Sequence, residues 1–292
     1  MITLYAGKNM NGASRAVASS DDDLSDNAID KPGSIEMTSS VDAILLFRNK
    51  GWTGGVHYLR GVNSIANLGS PNQGGRNGFG NSVRSVRVES FVWDLNVTIV
   101  KNDAGDLPGS WASEAAAEAG IREVVKLANG VLRRNRALLV LDIARITFRT
   151  SEKHFVAPSG QTVPSSWKAP DEADVVIIDR FRSEGTAGRT PGVLPKIVRV
   201  ARMNNPPDGP DFEVSDRLMA SVLLHELGHY LGVHHGSGSN DPGNIMFATG
   251  NPNAPSEDLT PDQIRRIHGK LAGKGERSVR VPNEGKGIGT RR

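Results

Sequence analysis

The sequence predicts two domains of different class: an all-β domain over residues 1–90 and an α+β domain over 91–272, followed by a basic, glycine-rich tail over 273–292. Three observations carry this. A turn pattern in the first third recurs further along the chain. After it, strand-like and helix-like periodicities alternate. One helical stretch then sets three histidines and a glutamate at fixed spacing.

Composition bounds the class. A chain of 292 residues with 37% hydrophobic and 23% charged residues can bury a core. No run approaches the ~18 uncharged apolar residues of a spanning helix, so no membrane segment is expected. The opening MITLYAGKN has neither a basic stretch nor a long apolar run, so no signal peptide is expected in this numbering. Cysteine is absent, which excludes disulfides and thiolate metal ligation. The net charge of +3 lies largely in the tail (Lys274, Arg277, Arg280, Lys286, Arg291, Arg292), so no nucleic-acid partner is expected.

In the N-terminal domain, Tyr5-x4-Met10-x-Gly12 returns as Phe47-x4-Trp52-x-Gly54. Each copy closes on a serine-led strand, SIEM at 34–37 and SVRV at 85–88, so the domain duplicates one unit. Short apolar runs between them, 43–48 (AILLFR) and 55–59 (GVHYL), are broken by Gly, Asn, Ser and Pro. They predict antiparallel strands and leave no place for a helix. The run Asp21-Asp22-Asp23 reads as a solvated turn, because adjacent like charges favour exposure.

This duplication resembles the βγ-crystallins, whose paired Greek-key motifs carry an aromatic-x4-aromatic-x-Gly hairpin and a later serine; Met10 stands where an aromatic is usual. The resemblance implies a double Greek-key fold for residues 1–90. Microbial members bind Ca2+ on loops that end at that serine. Here the loops 29–34 and 80–85 keep only the second and last positions, Asp30 with Ser34 and Asn81 with Ser85. Serines that merely tie the Greek-key loops together are therefore preferred over calcium sites.

In the second domain, 93–101 (WDLNVTIVK) alternates as a strand, and 113–132 is rich in helix formers with apolar residues three or four apart. Residues 139–149 (LVLDIARITFR) and 173–179 (ADVVIID) read as strands, and 193–201 (VLPKIVRVA) as one or two more. The link 151–171, with three prolines and several serines, reads as loop. Residues 215–224 (SDRLMASVLL) open with a Ser or Asp cap and continue with apolar residues at helical spacing, which gives the histidines a helix with a buried back. Thr260 as cap and Pro261 in the first turn start a C-terminal helix to Ala272. The order strand, helix, three strands, helix predicts a mixed sheet over the histidine helix.

The segment His225-Glu226-Leu227-Gly228-His229-Tyr230-Leu231-Gly232-Val233-His234-His235 reads HExxHxxGxxH. Residues four apart share a helix face, so His225 and His229 present their imidazoles to one point, which Zn2+ fits. Glu226 lies beside them on the helix, placed to act as general base on a water in the ion's open position without being a ligand. Gly232 permits the positive φ that ends the helix and swings His235 back as third ligand, while His234 must point elsewhere.

That motif, followed within a dozen residues by a methionine turn at Asn244-Ile245-Met246-Phe247, resembles the metzincin zinc endopeptidases of matrixin-like and reprolysin-like kind. Over 91–272 the resemblance implies an α+β catalytic domain, with a mixed twisted sheet over the active-site helix and a C-terminal helix. It also implies zinc on His225, His229 and His235, Met246 as a hydrophobic floor, and peptide-bond hydrolysis with Glu226 as base. Astacin- and serralysin-like members carry a tyrosine just past the methionine; this chain has Phe247 and Ala248, so oxyanion stabilisation would fall to the ion and backbone amides. A cysteine-switch pro-segment is excluded.

The expected substrate is a protein or peptide, docked as an added strand on a sheet edge within 193–200, with 247–258 forming one wall of the pocket. Two alternatives stay open: a zinc hydrolase of another amide such as a cell-wall peptide, and a non-enzymatic binding protein with a vestigial metal site. The intact Glu226 speaks against the second. The crystallin-like domain would target a surface or glycan, or give support. Only Glu89, Ser90 and Phe91 separate its last strand from the next strand-like run, too little for an exposed cleavage loop, so the domains are expected to stay joined. A monomer, secreted as the metzincin resemblance implies, completes the expectation.

Overall fold

A computed structural model describes the chain apart from residues 27, 28, 30, 40, 41, 62, 72–74, 77, 78, 80, 81, 159–161, 168–172, 183–186, 191–196, 205–209, 236–240, 248–255, 273–278 and 281–292. The N-terminal domain contains β1 (Ile2–Tyr5), β2 (Ser14–Ala16), β3 (Ser34–Met37), β4 (Ala43–Phe47), β5 (Val56–Arg60), β6 (Asn63–Ile65) and β7 (Ser85–Arg87). They form two antiparallel sheets, in the orders β2-β1-β3-β6 and β5-β4-β7. The two units exchange pieces: β6 of the second joins β3 of the first, and Asp21 of the first bridges Val86 in β7. Leu4, Ile35, Met37, Ile44, Leu46 and Val86 fill the space between the sheets.

The duplication extends to backbone angles. Asn9, Met10 and Gly12 have φ of 57°, 54° and 82°, and Gly51, Trp52 and Gly54 have 62°, 53° and 80°. Each turn is locked by its serine. Ser34 Oγ donates to Gly7 O at 2.7 Å and accepts from Met10 N at 2.9 Å. Ser85 Oγ donates to Asn49 O at 2.6 Å and accepts from Trp52 N at 3.2 Å. Asp30 and Asn81, the remaining positions of the calcium pattern, lie outside the described residues. The acidic run departs from the expected solvated turn: Asp21 pairs with Arg15 at 2.8 Å and Asp23 with Lys50 at 2.6 Å. Bridging β7 holds Asp21 against the domain, where nearby cations reach it.

The second domain runs through β8 (Phe91–Lys101), α1 (Glu114–Arg134), β9 (Leu139–Thr150), α2 (Glu152–Phe155), β10 (Val156–Ala157), β11 (Ala173–Ile178), β12 (Arg180–Phe181), β13 (Gly188–Arg189), β14 (Val198–Ala201), β15 (Met203–Asn204), β16 (Phe212–Glu213), α3 (Asp216–Tyr230), α4 (Pro261–Ala272) and β17 (Val279–Arg280). Its main sheet has the order β13-β14-β11-β8-β17, with β9 also on β8. Strands β8, β9, β11 and β14 are parallel, whereas β13 and β17 run antiparallel to their neighbours, which makes the sheet mixed. Helices α1 and α3 pack on one face through Ile121, Val124, Leu223 and Leu227 against Leu95, Val97, Val175 and Val200. Helices α1, α3 and α4 each start on a cap: Ser113 Oγ accepts from Ala116 N at 3.1 Å, Ser215 Oγ from Leu218 N at 3.3 Å, and Thr260 Oγ1 from Gln263 N at 3.2 Å.

Three expectations are corrected here. The link 151–171 is not all loop: α2, β10 and a 3-10 turn at Ser165–Trp167 lie within it, and 159–161 and 168–171 are outside the described residues. Phe155, Ala157 and Val163 from that link cover the second face of the sheet against Val100, Val176 and Ile178, a need no local pattern announces. The substrate-edge assignment to 193–200 also changes, because β14 is paired on both sides, with β11 and β13. Among the described residues β13 is the edge on that side of the sheet and β9, paired only with β8, the edge on the other, while 191–196 are outside them. Finally, the tail is not wholly separate, since Val279 and Arg280 pair with Trp93 and Val92.

The two domains share one core. Strand β4 is buried at every position, its Ile44 and Leu46 facing the first domain's core and its Leu45 and Phe47 joining Phe91, Trp93 and Ile267. Burial on both faces accounts for its unbroken apolar run. Tyr58 Oη donates to Arg136 O at 2.8 Å across the same boundary. Among the described residues no helix is long and apolar enough to cross a membrane.

Candidate metal centre

Helix α3 is apolar on most of its surface, with Leu218, Met219, Ala220, Leu223, Leu224 and Leu227 buried. A helix buried nearly all round suits a fixed platform better than a surface element. It ends at Tyr230, after which Gly232 takes φ +78° and Val233 N donates back to Gly228 O at 2.9 Å. That reversal brings His235 over the helix.

The three imidazoles then meet. His235 Nε2 lies 3.0 Å from His225 Nε2 and 2.9 Å from His229 Nε2. The opposite nitrogens are committed to backbone carbonyls: His225 Nδ1 donates to Ile245 O at 2.6 Å, and His229 Nδ1 to Val233 O at 2.8 Å. With their protons held on Nδ1, His225 and His229 turn Nε2 lone pairs towards the same point as His235. Burial pushes the His225 imidazole down to about 4, against the hydrogen bond to Ile245, so it is neutral at pH 7. Three ring nitrogens this close need either a proton shared from His235 or a cation among them. The donor set fits a divalent ion of the kind that takes three imidazoles.

The methionine turn packs on α3 at Gly228 and accepts from His225 through Ile245 O. Met246 is buried, and its Sδ lies 2.5 Å from where a Cβ on Gly228 would stand. Only glycine at 228 therefore lets the sulfur pack this close to α3 between His225 and His229. Asn244 holds the turn: its Oδ1 accepts from Met246 N at 3.0 Å, and its amide exchanges hydrogen bonds with Gln263 at 3.0 and 2.8 Å. Both amides are buried, so α4 anchors the turn that orients His225. Asn244 and Gln263 were not among the expected site residues. The weak sign was Thr260 with Gln263 three positions on, a capping box whose reciprocal bond, Thr260 N to Gln263 Oε1, measures 2.9 Å.

Glu226 follows His225 on α3 and meets β13 at Gly188. It is 5% exposed and lies beneath β13, where a Cβ on Gly188 would stand 2.8 Å from both its Cγ and its Oε1. Burial pushes its carboxyl up to about 7, opposed by the nearby Thr190 hydroxyl and N–H and by the fields of Arg189 and Arg199. Its Oε2 has no hydrogen-bond partner among the described residues. His234 is exposed, and Tyr230 packs its ring on Trp93 at 5.7 Å. Phe247 is half-buried, and Ala248 lies outside the described residues. Of the segment 247–258, the end is tied down by Glu257, which pairs with Arg134 at 2.5 Å and Arg217 at 2.7 Å.

No family model matches the chain, and no curated protein matches it. Among solved structures it is similar to a βγ-crystallin from Ciona intestinalis, at 21% identity over 30% of this chain and 98% of that one, with a TM-score of 0.26. It is likewise similar to a βγ-crystallin domain from Flavobacterium johnsoniae (22% identity, 30% and 91% covered, TM-score 0.24). The N-terminal domain of protein S is a third (20% identity, 30% and 92% covered, TM-score 0.25). The strand pairing and the repeated turn angles of the first domain make it a double Greek key.

Proposed function

We propose that the chain is a zinc-dependent endopeptidase of metzincin type, with the crystallin-like domain as a joined support or targeting module. The observation that carries this is the convergence of three Nε2 atoms beside a buried glutamate whose Oε2 has no partner among the described residues. His225, His229 and His235 would hold the ion. Zinc bound there supplies Lewis-acid polarisation of a carbonyl and of water.

The chain's own residues do the rest. Glu226 takes a proton from the attacking water as its oxygen bonds to the scissile carbonyl carbon, and passes it to the departing amine as the C–N bond breaks. Burial raises the carboxyl's pKa in the metal-free chain, the direction that suits a group that must both take and give a proton near neutral pH. An extended peptide adds to the outer edge of β13, which runs over α3 next to Glu226. With Phe247 past the methionine and Tyr230 packed on Trp93, neither position offers a phenol hydroxyl for the charge on the tetrahedral oxygen, which leaves that role to backbone amides beside the polarisation a bound ion would supply. Cleavage of a denatured protein by the full chain, abolished by a chelator and restored by zinc, tests the reading. Activity indifferent to chelation would sink it.

A further inference from the structure

Residues 188–190 form the strand edge nearest Glu226. Gly188 stands opposite Val200, and Arg189 opposite Arg199, across the β13–β14 pairing. In the same register, Ala201 N donates to Ala187 O at 2.8 Å. Hydrogen-bonded pairs alternate along antiparallel strands, so the Arg189–Arg199 pair belongs with Ala187–Ala201. The N–H and C=O of Gly188 therefore turn away from β14, towards the open edge, and those of Thr190 follow the same direction.

Gly188 has no positive φ to require glycine; space requires it. A Cβ there would lie 2.5 Å from Val222 Cγ1 and 2.8 Å from Glu226 Cγ and Oε1. Thr190 Oγ1 donates to the Glu226 carbonyl at 2.9 Å, which ties the strand to the helix at the base itself. The Thr190 N–H and hydroxyl also lie near enough to the Glu226 carboxyl to favour its charged form against burial.

We propose that Gly188 and Thr190 form a seat that fixes the Glu226 carboxyl, and so act as positioning residues for the hydrolysis above. The inference rests on the endopeptidase reading. Glutamate has three side-chain torsions, and an unrestrained carboxyl would lose its aim at the reacting water. The seat removes that freedom before substrate arrives. It also places the base in register with substrate: Gly188 offers its edge amide and carbonyl to an added strand, while Thr190, two residues on, keeps its amide near Glu226.

The test uses the full zinc-loaded chain, with zinc content and Tm measured on every variant. Gly188→Ala should lower kcat by roughly 10- to 100-fold with KM within about twofold and zinc retained, the scale of a misplaced catalytic group. Thr190→Val should lower kcat by roughly 3- to 10-fold, one hydrogen bond's worth, and Thr190→Ser should restore it. A second readout needs no activity. In the metal-free chain the Thr190 amide proton should resonate downfield, and should move upfield in both Glu226→Gln and Gly188→Ala.

Unchanged kcat in Gly188→Ala and Thr190→Val, or a Thr190 amide indifferent to Glu226→Gln, would overturn the seat. A rise in KM at constant kcat would assign the two residues to substrate docking instead, and would overturn it equally. Wild-type activity indifferent to chelation would sink the endopeptidase reading itself, and full activity in Glu226→Gln would overturn the seat by removing its base. Loss there with no effect at Gly188 would sink only the seat.

Discussion

Two clusters in the second domain each contain a histidine shielded from water, the half-buried His225 and the fully buried His268, and burial holds both imidazoles down at about 4. Their surroundings differ. At His225, two more imidazoles turn Nε2 towards the same point, and a carboxyl lies beside them. His268 is fully buried, donates Nε2–H to Ala137 O at 2.6 Å and packs on Phe91 at 5.5 Å. The cation above it is Arg87, whose guanidinium sits 3.8 Å over Phe91 and 4.5 Å over Trp52. The first cluster gathers ring nitrogens that suit a cation. The second already has its cation and clamps the crystallin-like domain to α4. Burial and a depressed pKa are thus common to a candidate site and a plain interface; convergent donors distinguish them.

The largest expected effect breaks the first cluster. Protein purified without chelator should carry about one zinc per chain, and His229→Ala should reduce it to near zero by elemental analysis, whereas His268→Gln should leave it unchanged. Next, Glu226→Gln should keep zinc and Tm while lowering kcat by at least roughly 100-fold, the scale of a general base. Wild-type turnover would move the base elsewhere, with Glu257 and Asp258 the next residues to examine.

The second cluster should announce itself through pH. Above about pH 6.5 His268 is neutral both folded and unfolded and contributes no pH dependence. Below that, the unfolded chain binds a proton the folded chain refuses, so stability falls as pH drops, until the folded imidazole also titrates at about 4. The full shift corresponds to about 3 kcal/mol. Denaturant titrations of metal-free protein should show His268→Gln with a flatter stability curve across that window; identical slopes would refute the account.

The smallest effect compares equivalent turn positions in the duplicated domain. Trp52 lies under Arg87 and edge-on to Phe91 at 6.2 Å, while Met10, its counterpart, is 36% exposed. Trp52→Ala should cost about 2–3 kcal/mol, and Met10→Ala less than about 0.5 kcal/mol. Equal costs would mean that Trp52 serves its own turn and not the domain boundary.

Much of this was legible along the chain because the causes are local. Helical spacing places His225 and His229 together, Gly232 permits the reversal, and Ser113, Ser215 and Thr260 mark helix starts through their own hydroxyls. The repeated turn was visible for the same reason, since its serine closes a hydrogen bond on a fixed backbone shape. Other features arise only when distant segments meet. Strand β13 has two residues, too few for any periodicity, and becomes an edge because Val198–Ala201 is taken on both sides. Phe155 and Val163 sit in a proline-rich link that reads as loop until the second sheet face needs cover. Asn244 and Gln263 are 19 residues apart and signify nothing until α4 brings their amides together. Sequence by itself determined which atoms could bind and transfer a proton, because that chemistry resides in side-chain type and helical phase. Only tertiary structure decided where Glu226 is held, because its seat is the bare edge of a strand whose position depends on every strand packed behind it.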